Sequence, residues 1–93
     1  MDYVFEWDPA KPAASARKHG VTFDEASSTF ADPLAMLIPD HDHSEGEERY
    51  LLLGMSVRER LLVVAFSERP PRTRLVSARQ ATQLERRRYE AQG

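Results

Sequence analysis

Leu61-Leu62-Val63-Val64-Ala65-Phe66-Ser67 is the stretch on which the fold turns. It is almost wholly apolar, short, and bounded by polar segments on both sides. That pattern predicts a strand with both faces covered, at the centre of a sheet. Arg58-Glu59-Arg60 just before it reads as a turn, and Arg49 to Val57 as the neighbouring strand. Gly54 marks a bulge or a point of close approach within that neighbour. On the other side Arg69-Pro70-Pro71-Arg72 is a loop, followed by a strand from Thr73 to Ser77 in which Leu75 alternates with Arg74 and Val76. Links this short make antiparallel neighbours.

Toward the N-terminus, Leu34 to Ile38 reads as a strand stopped by Pro39, and Asp40 to Glu48 as a polar, acidic loop. Thr22-Phe23-Asp24-Glu25 has the form of a capping box: the Thr22 hydroxyl accepts a backbone N–H and Glu25 reaches back. The helix it opens ends near Ala31, because Asp32-Pro33 cannot continue it. Before it, Asp8 is an N-cap with Pro9 at the first helical position. Pro12 makes the first turn of that helix irregular. The helix runs to His19, with Gly20 as its stop. Tyr3 to Trp7 alternates as a short strand. At the other end two caps compete for a final helix reaching about Ala91, one over Ser77 to Gln80 and one over Thr82 to Glu85. The predicted order is β-α-α-β-β-β-β-α, an α+β fold with helices packed on an antiparallel sheet, in one domain over residues 1–93.

The chain has no cysteine, which excludes disulfides, thiolate zinc sites and cysteine nucleophiles and fits a cytoplasmic protein. The N-terminus carries acidic residues and no long apolar run, so no signal peptide is expected. The longest apolar stretch is far too short to span a bilayer. The formal net charge of −2 hides an asymmetry. Residues 1–50 hold 4 Lys/Arg against 11 Asp/Glu; residues 51–93 hold 9 Arg against 4 Glu. Every cation after Arg49 is arginine. The guanidinium fork pairs with phosphate through two hydrogen bonds, which an ammonium cannot do. An acidic face and a basic face are expected, though a solvated arginine-rich surface would give the same counts.

Several segments resemble BrnT toxins. At the start these are Phe5-Glu6-Trp7-Asp8-Pro9-Ala10-Lys11, Arg17-Lys18-His19-Gly20-Val21-Thr22-Phe23-Asp24-Glu25-Ala26 and Phe30-Ala31-Asp32-Pro33. The middle is similar at Asp42-His43-Ser44-Glu45, at Glu48-Arg49 and at Gly54. So is the end, at Arg74-Leu75-Val76-Ser77-Ala78-Arg79-Gln80-Ala81-Thr82, Glu85-Arg86 and Tyr89. The resemblance implies a RelE-like fold and a ribonuclease toxin that stops translation. It implies neutralisation by BrnA, an antitoxin with a ribbon-helix-helix DNA-binding part, so that operator DNA is reached only through the antitoxin.

Metal-free RNA cleavage needs a base for the ribose 2′-OH, an acid for the leaving 5′-oxygen and cations for the charge on the phosphorane. No cofactor is expected. RelE-like toxins place these groups on the open sheet face and the last helix, as the resemblance implies. His43 is the acid/base candidate, because an imidazole titrates near working pH. His19 more naturally serves as a helix C-terminal cap. Arg49, Arg74 and Arg79 are the electrostatic candidates; surface ion pairs with glutamates are the alternative for each. Lys18, Arg86 and Arg87 are candidates for holding RNA. Tyr89 either stacks on a base or fills the core beneath the last helix, with core favoured. Glu48 and Glu85 could act as bases, though Glu85 also completes a capping box with Thr82. The Asp40–Glu45 loop, with His41 and His43 among carboxylates, could ligate a metal, but an acidic turn is the simpler reading. The rival to an enzyme is a non-catalytic module that pairs with a DNA-binding partner as co-repressor.

Overall fold

A computed structural model describes residues 3–10, 19–40 and 48–92. The elements are β1 (Val4–Glu6), α1 (Phe23–Ser28), a 3-10 turn (Thr29–Ala31), β2 (Met36–Pro39), β3 (Arg49–Met55), β4 (Leu61–Arg69), β5 (Arg72–Gln80) and α2 (Gln83–Ala91). The helix expected between Pro9 and His19 falls largely outside the described residues. Its flanks are visible. The Asp8 carboxylate accepts the Ala10 N–H at 3.0 Å, and Gly20 takes the φ of 68° expected of a helix stop.

The five strands form one sheet in the order β1-β5-β4-β3-β2. β4 holds the centre, and Leu61 to Ser67 is buried throughout, as an apolar run covered on both faces must be. β2, β3, β4 and β5 pair antiparallel. The expected all-antiparallel sheet needs one correction: β1 pairs parallel with β5, Glu6 opposite Arg74. The chain reaches this edge through helical and strand segments rather than a hairpin, so no short link dictates its direction.

The two sheet faces bury separate cores. On one, Leu52, Leu62, Val64, Phe66, Leu75 and Ala78 pack with Val21, Phe23 and Ala26 of the α1 region. On the other, Leu53, Leu61 and Val63 pack with Tyr89 of α2. Gly54 is indeed a close-approach point: a Cβ there would stand 3.1 Å from the Thr29 carbonyl oxygen and 3.2 Å from the Ala35 Cβ.

The caps sort themselves out. α2 begins at Thr82 with both bonds of a capping box, while β5 continues through Ser77 to Gln80. At α1 the Thr22 hydroxyl accepts the Glu25 N–H at 3.1 Å, but the expected return bond from Glu25 is replaced. Its carboxylate is buried and accepts from the Arg60 guanidinium and from the Ser56 hydroxyl at 2.7 Å. This ties the β3–β4 turn to α1. Arg60 holds the Glu25 carboxyl below its usual range against the upward pull of burial.

Candidate nucleic-acid interface

Strand register decides which arginines can act together. Residues directly opposite in a sheet point to the same face. Arg49 lies opposite Ser67, Ser67 opposite Arg74, and Arg74 opposite Glu6. This gives a row across β3, β4, β5 and β1, on the face that α2 also occupies. α2 packs at the other end of the strands, over Leu53, Leu61 and Val63.

Arg79 joins that face through a backbone irregularity. Arg74 and Arg79 are five residues apart, and in a regular strand an odd separation sends side chains to opposite faces. β5 is not regular: Leu75 pairs with Phe66 and Ser77 with Ala65, so Val76 is the extra residue of a bulge. Arg79 therefore lies opposite Val63, on the face that Arg74 shares through Ser67. The two arginine positions are four β4 residues apart, about 13 Å at the usual strand rise.

Both arginines have acidic neighbours. Arg74 stands 3.7 Å from Glu6. Arg79 donates two bonds to Glu85, at 2.8 and 2.9 Å. Glu85 also accepts the Thr82 N–H at 2.8 Å. Those bonds, Arg79's foremost, bring its carboxyl down to about 2, and the bond with Glu85 raises the Arg79 guanidinium in turn. On α2, Arg86, Arg87 and Arg88 are exposed, and Arg86 lies 4.0 Å from Glu90.

Tyr89 is placed in the core. It is 9% exposed, and its hydroxyl donates to Asp32 at 2.5 Å. Burial and the Asp32 carboxylate push its phenol up to about 12. A ring so enclosed offers no open face to a base. Glu48 is exposed and accepts from the Tyr50 hydroxyl. His43, Lys18 and the 41–45 part of the Asp40–Glu45 loop lie outside the described residues. Among the described residues no cluster of His and carboxylates could hold a metal.

Two members of this face carry no mark of it in the sequence. Ser67 closes an apolar run and looks like a strand end, and Glu6 looks like an alternating strand position. Only the register joins them to the arginines.

Taken together, the chain is a small mixed α+β protein whose sheet bears arginines at matched register on one face, with an arginine-rich helix beside them. Residues 7–85 match the family described as "Ribonuclease toxin, BrnT, of type II toxin-antitoxin system". The chain belongs to that family, and is thereby a ribonuclease toxin whose counterpart is an antitoxin. In fold it is similar to the Brucella abortus ribonuclease toxin BrnT, known from a 1.1 Å crystal structure. The TM-score is 0.67 at 20% identity, over 88% of this chain and 100% of that one. No match was found among curated protein sequences.

Proposed function

We propose that this toxin is a metal-independent endoribonuclease of RelE-like fold, built as one domain over residues 1–93. The ribose 2′-oxygen attacks the adjacent phosphorus, the P–O5′ bond breaks, and the products are a 2′,3′-cyclic phosphate and a 5′-OH. The 2′-OH proton leaves to a base and the 5′-oxygen gains one from an acid, with His43 the side chain proposed for this work. Arg49, Arg74 and Arg79 stabilise the extra negative charge of the phosphorane. Lys18, Arg86 and Arg87 hold flanking RNA. The observation that carries this reading is the shared face: Arg49 and Arg74 flank one residue of the central strand, and the β5 bulge adds Arg79.

The partner in this reading is a BrnA-like ribbon-helix-helix antitoxin, and operator DNA is reached only through it. The site of action is cytoplasmic; among the described residues no helix is long and apolar enough to cross a membrane.

The test is cleavage of RNA by purified toxin in EDTA, with the product ends identified. Activity should survive chelation, and Arg74→Ala should lower the rate about 10²-fold, as loss of one preorganised donor does. If EDTA abolished cleavage and manganese restored it, the site would move to the Asp40–Glu45 loop.

The carboxylate neighbours of Arg74 and Arg79 favour a second reading, a non-catalytic module whose arginines serve structure and partner binding. Toxicity on induced expression without the antitoxin, lost in a folded Arg79→Ala variant, separates the enzyme from the module.

A further inference from the structure

Ser67 is fully buried, 0% exposed, and its Oγ finds no hydrogen-bond partner among the described residues. A buried hydroxyl left unpaired is destabilising, and native structures rarely keep one without a reason. Its surroundings suggest the reason. Ser67 sits on the central strand with Arg49 directly opposite on β3 and Arg74 directly opposite on β5. Cβ atoms of such pairs lie about 4.5–5.5 Å apart. The hydroxyl is therefore on the sheet floor between the stems of two arginines. Those neighbours carry donors only, and so cannot accept its proton. What would complete the set is a group of acceptors alone.

We propose that Ser67 is a substrate-binding residue, donating its hydroxyl hydrogen to a non-bridging oxygen of the phosphodiester that Arg49 and Arg74 engage. This rests on the reading of the arginine face as the RNA site. The phosphodiester fits the position because its tetrahedral oxygens can meet a floor donor and two flanking forks at once. Entry requires the Arg74 guanidinium to turn from Glu6 toward the phosphate. At 3.7 Å that ion pair is long, and both side chains are more than a quarter exposed, so little holds it.

The experiment measures affinity for a single-stranded 2′-O-methyl oligoribonucleotide, which cannot be cleaved at a 2′-OH, by fluorescence anisotropy, beside the Tm of each variant. Ser67→Ala should weaken binding about tenfold, the effect of losing a hydrogen bond to a charged group. It should also raise the Tm by a few degrees, because the unpaired hydroxyl is gone. Ser67→Cys, which keeps the shape but donates weakly, should likewise lose affinity. Unchanged affinity in both variants overturns the proposal, and so does a lowered Tm in both, which would mean the hydroxyl has a structural partner. If Arg74→Ala loses affinity while the Ser67 variants do not, Ser67 is excluded and the arginine reading stands. If no variant loses affinity, or the wild type does not bind the probe, both fall together. Polyglutamate competing as well as the oligonucleotide would assign the position to carboxylates instead and overturn the phosphate assignment.

Discussion

Glu85 shows how far one side chain's role can be read and where reading stops. Its place three residues after Thr82 marks it as the far half of a capping box, and that bond forms. The two bonds it takes from Arg79 depend on where β5 delivers that arginine, which the pattern around Glu85 does not encode. The result is a carboxyl at about 2, below the 4.5 of its free state. The folded protein therefore binds this proton less readily than the unfolded chain does. The resulting stabilisation is complete above about pH 4.5 and is lost as pH falls toward 2. Glu85→Gln should flatten the Tm-against-pH curve over that interval, measured by thermal melts in low-salt buffers. Glu25 teaches the same lesson more sharply. Thr22-x-x-Glu25 predicts a local bond, yet the carboxylate goes to Arg60, 35 residues along the chain. Its side chain is 3% exposed against 27% for Arg60. Glu25→Gln should destabilise the fold by ~3 kcal/mol, the lower end for breaking a buried pair because Arg60 keeps some water. Urea denaturation measures this.

Among the elements, the strands were legible where burial imposes a pattern on the chain. β4 announces itself through its apolar run, and β3 and β5 follow from the short links on either side. β1 is legible as a strand, but its parallel pairing with β5 is a long-range choice that three alternating residues cannot specify. The β5 bulge left no signal either. No glycine or proline marks Val76, and its effect on Arg79 appears only once the partners on β4 are counted. Gly54 is the opposite case, a strand glycine whose reason proves to be the 3-10 turn packed on it. A Cβ at that position would press on Thr29 backbone and on Ala35. Gly54→Val should cost about 1–3 kcal/mol through overpacking, read as a lower urea midpoint with an unchanged m-value. Because Gly54 belongs to the core face lined by Leu52 and Leu62 rather than the arginine row, RNA cleavage by the folded fraction should survive.

At the scale of the whole molecule, part of the arginine excess of residues 51–93 falls on one side of the sheet. The arginines at 49, 74 and 79 share one sheet face, and α2 carries Arg86 to Arg88 beside it. Strong cationic surfaces bind RNA with a salt dependence set by the number of phosphates engaged. Arg74→Ala should therefore reduce the slope of log affinity against log salt by about 0.7, the contribution of one single-strand phosphate contact. We propose that the same face is the one an antitoxin covers. A segment that is acidic or apolar, laid across the row, would exclude RNA and replace phosphate with carboxylates as partners of the guanidinium groups. Paired arginines near the centre of an interface are where truncation costs most. Arg74→Ala or Arg79→Ala is expected to weaken both RNA cleavage and antitoxin binding, checked by calorimetry with the antitoxin beside the cleavage rate of each variant. If every cleavage-dead arginine variant binds the antitoxin at wild-type affinity, neutralisation acts from another surface. The antitoxin would then silence the toxin by distorting the sheet or by blocking approach to the RNA, leaving the arginine row uncovered.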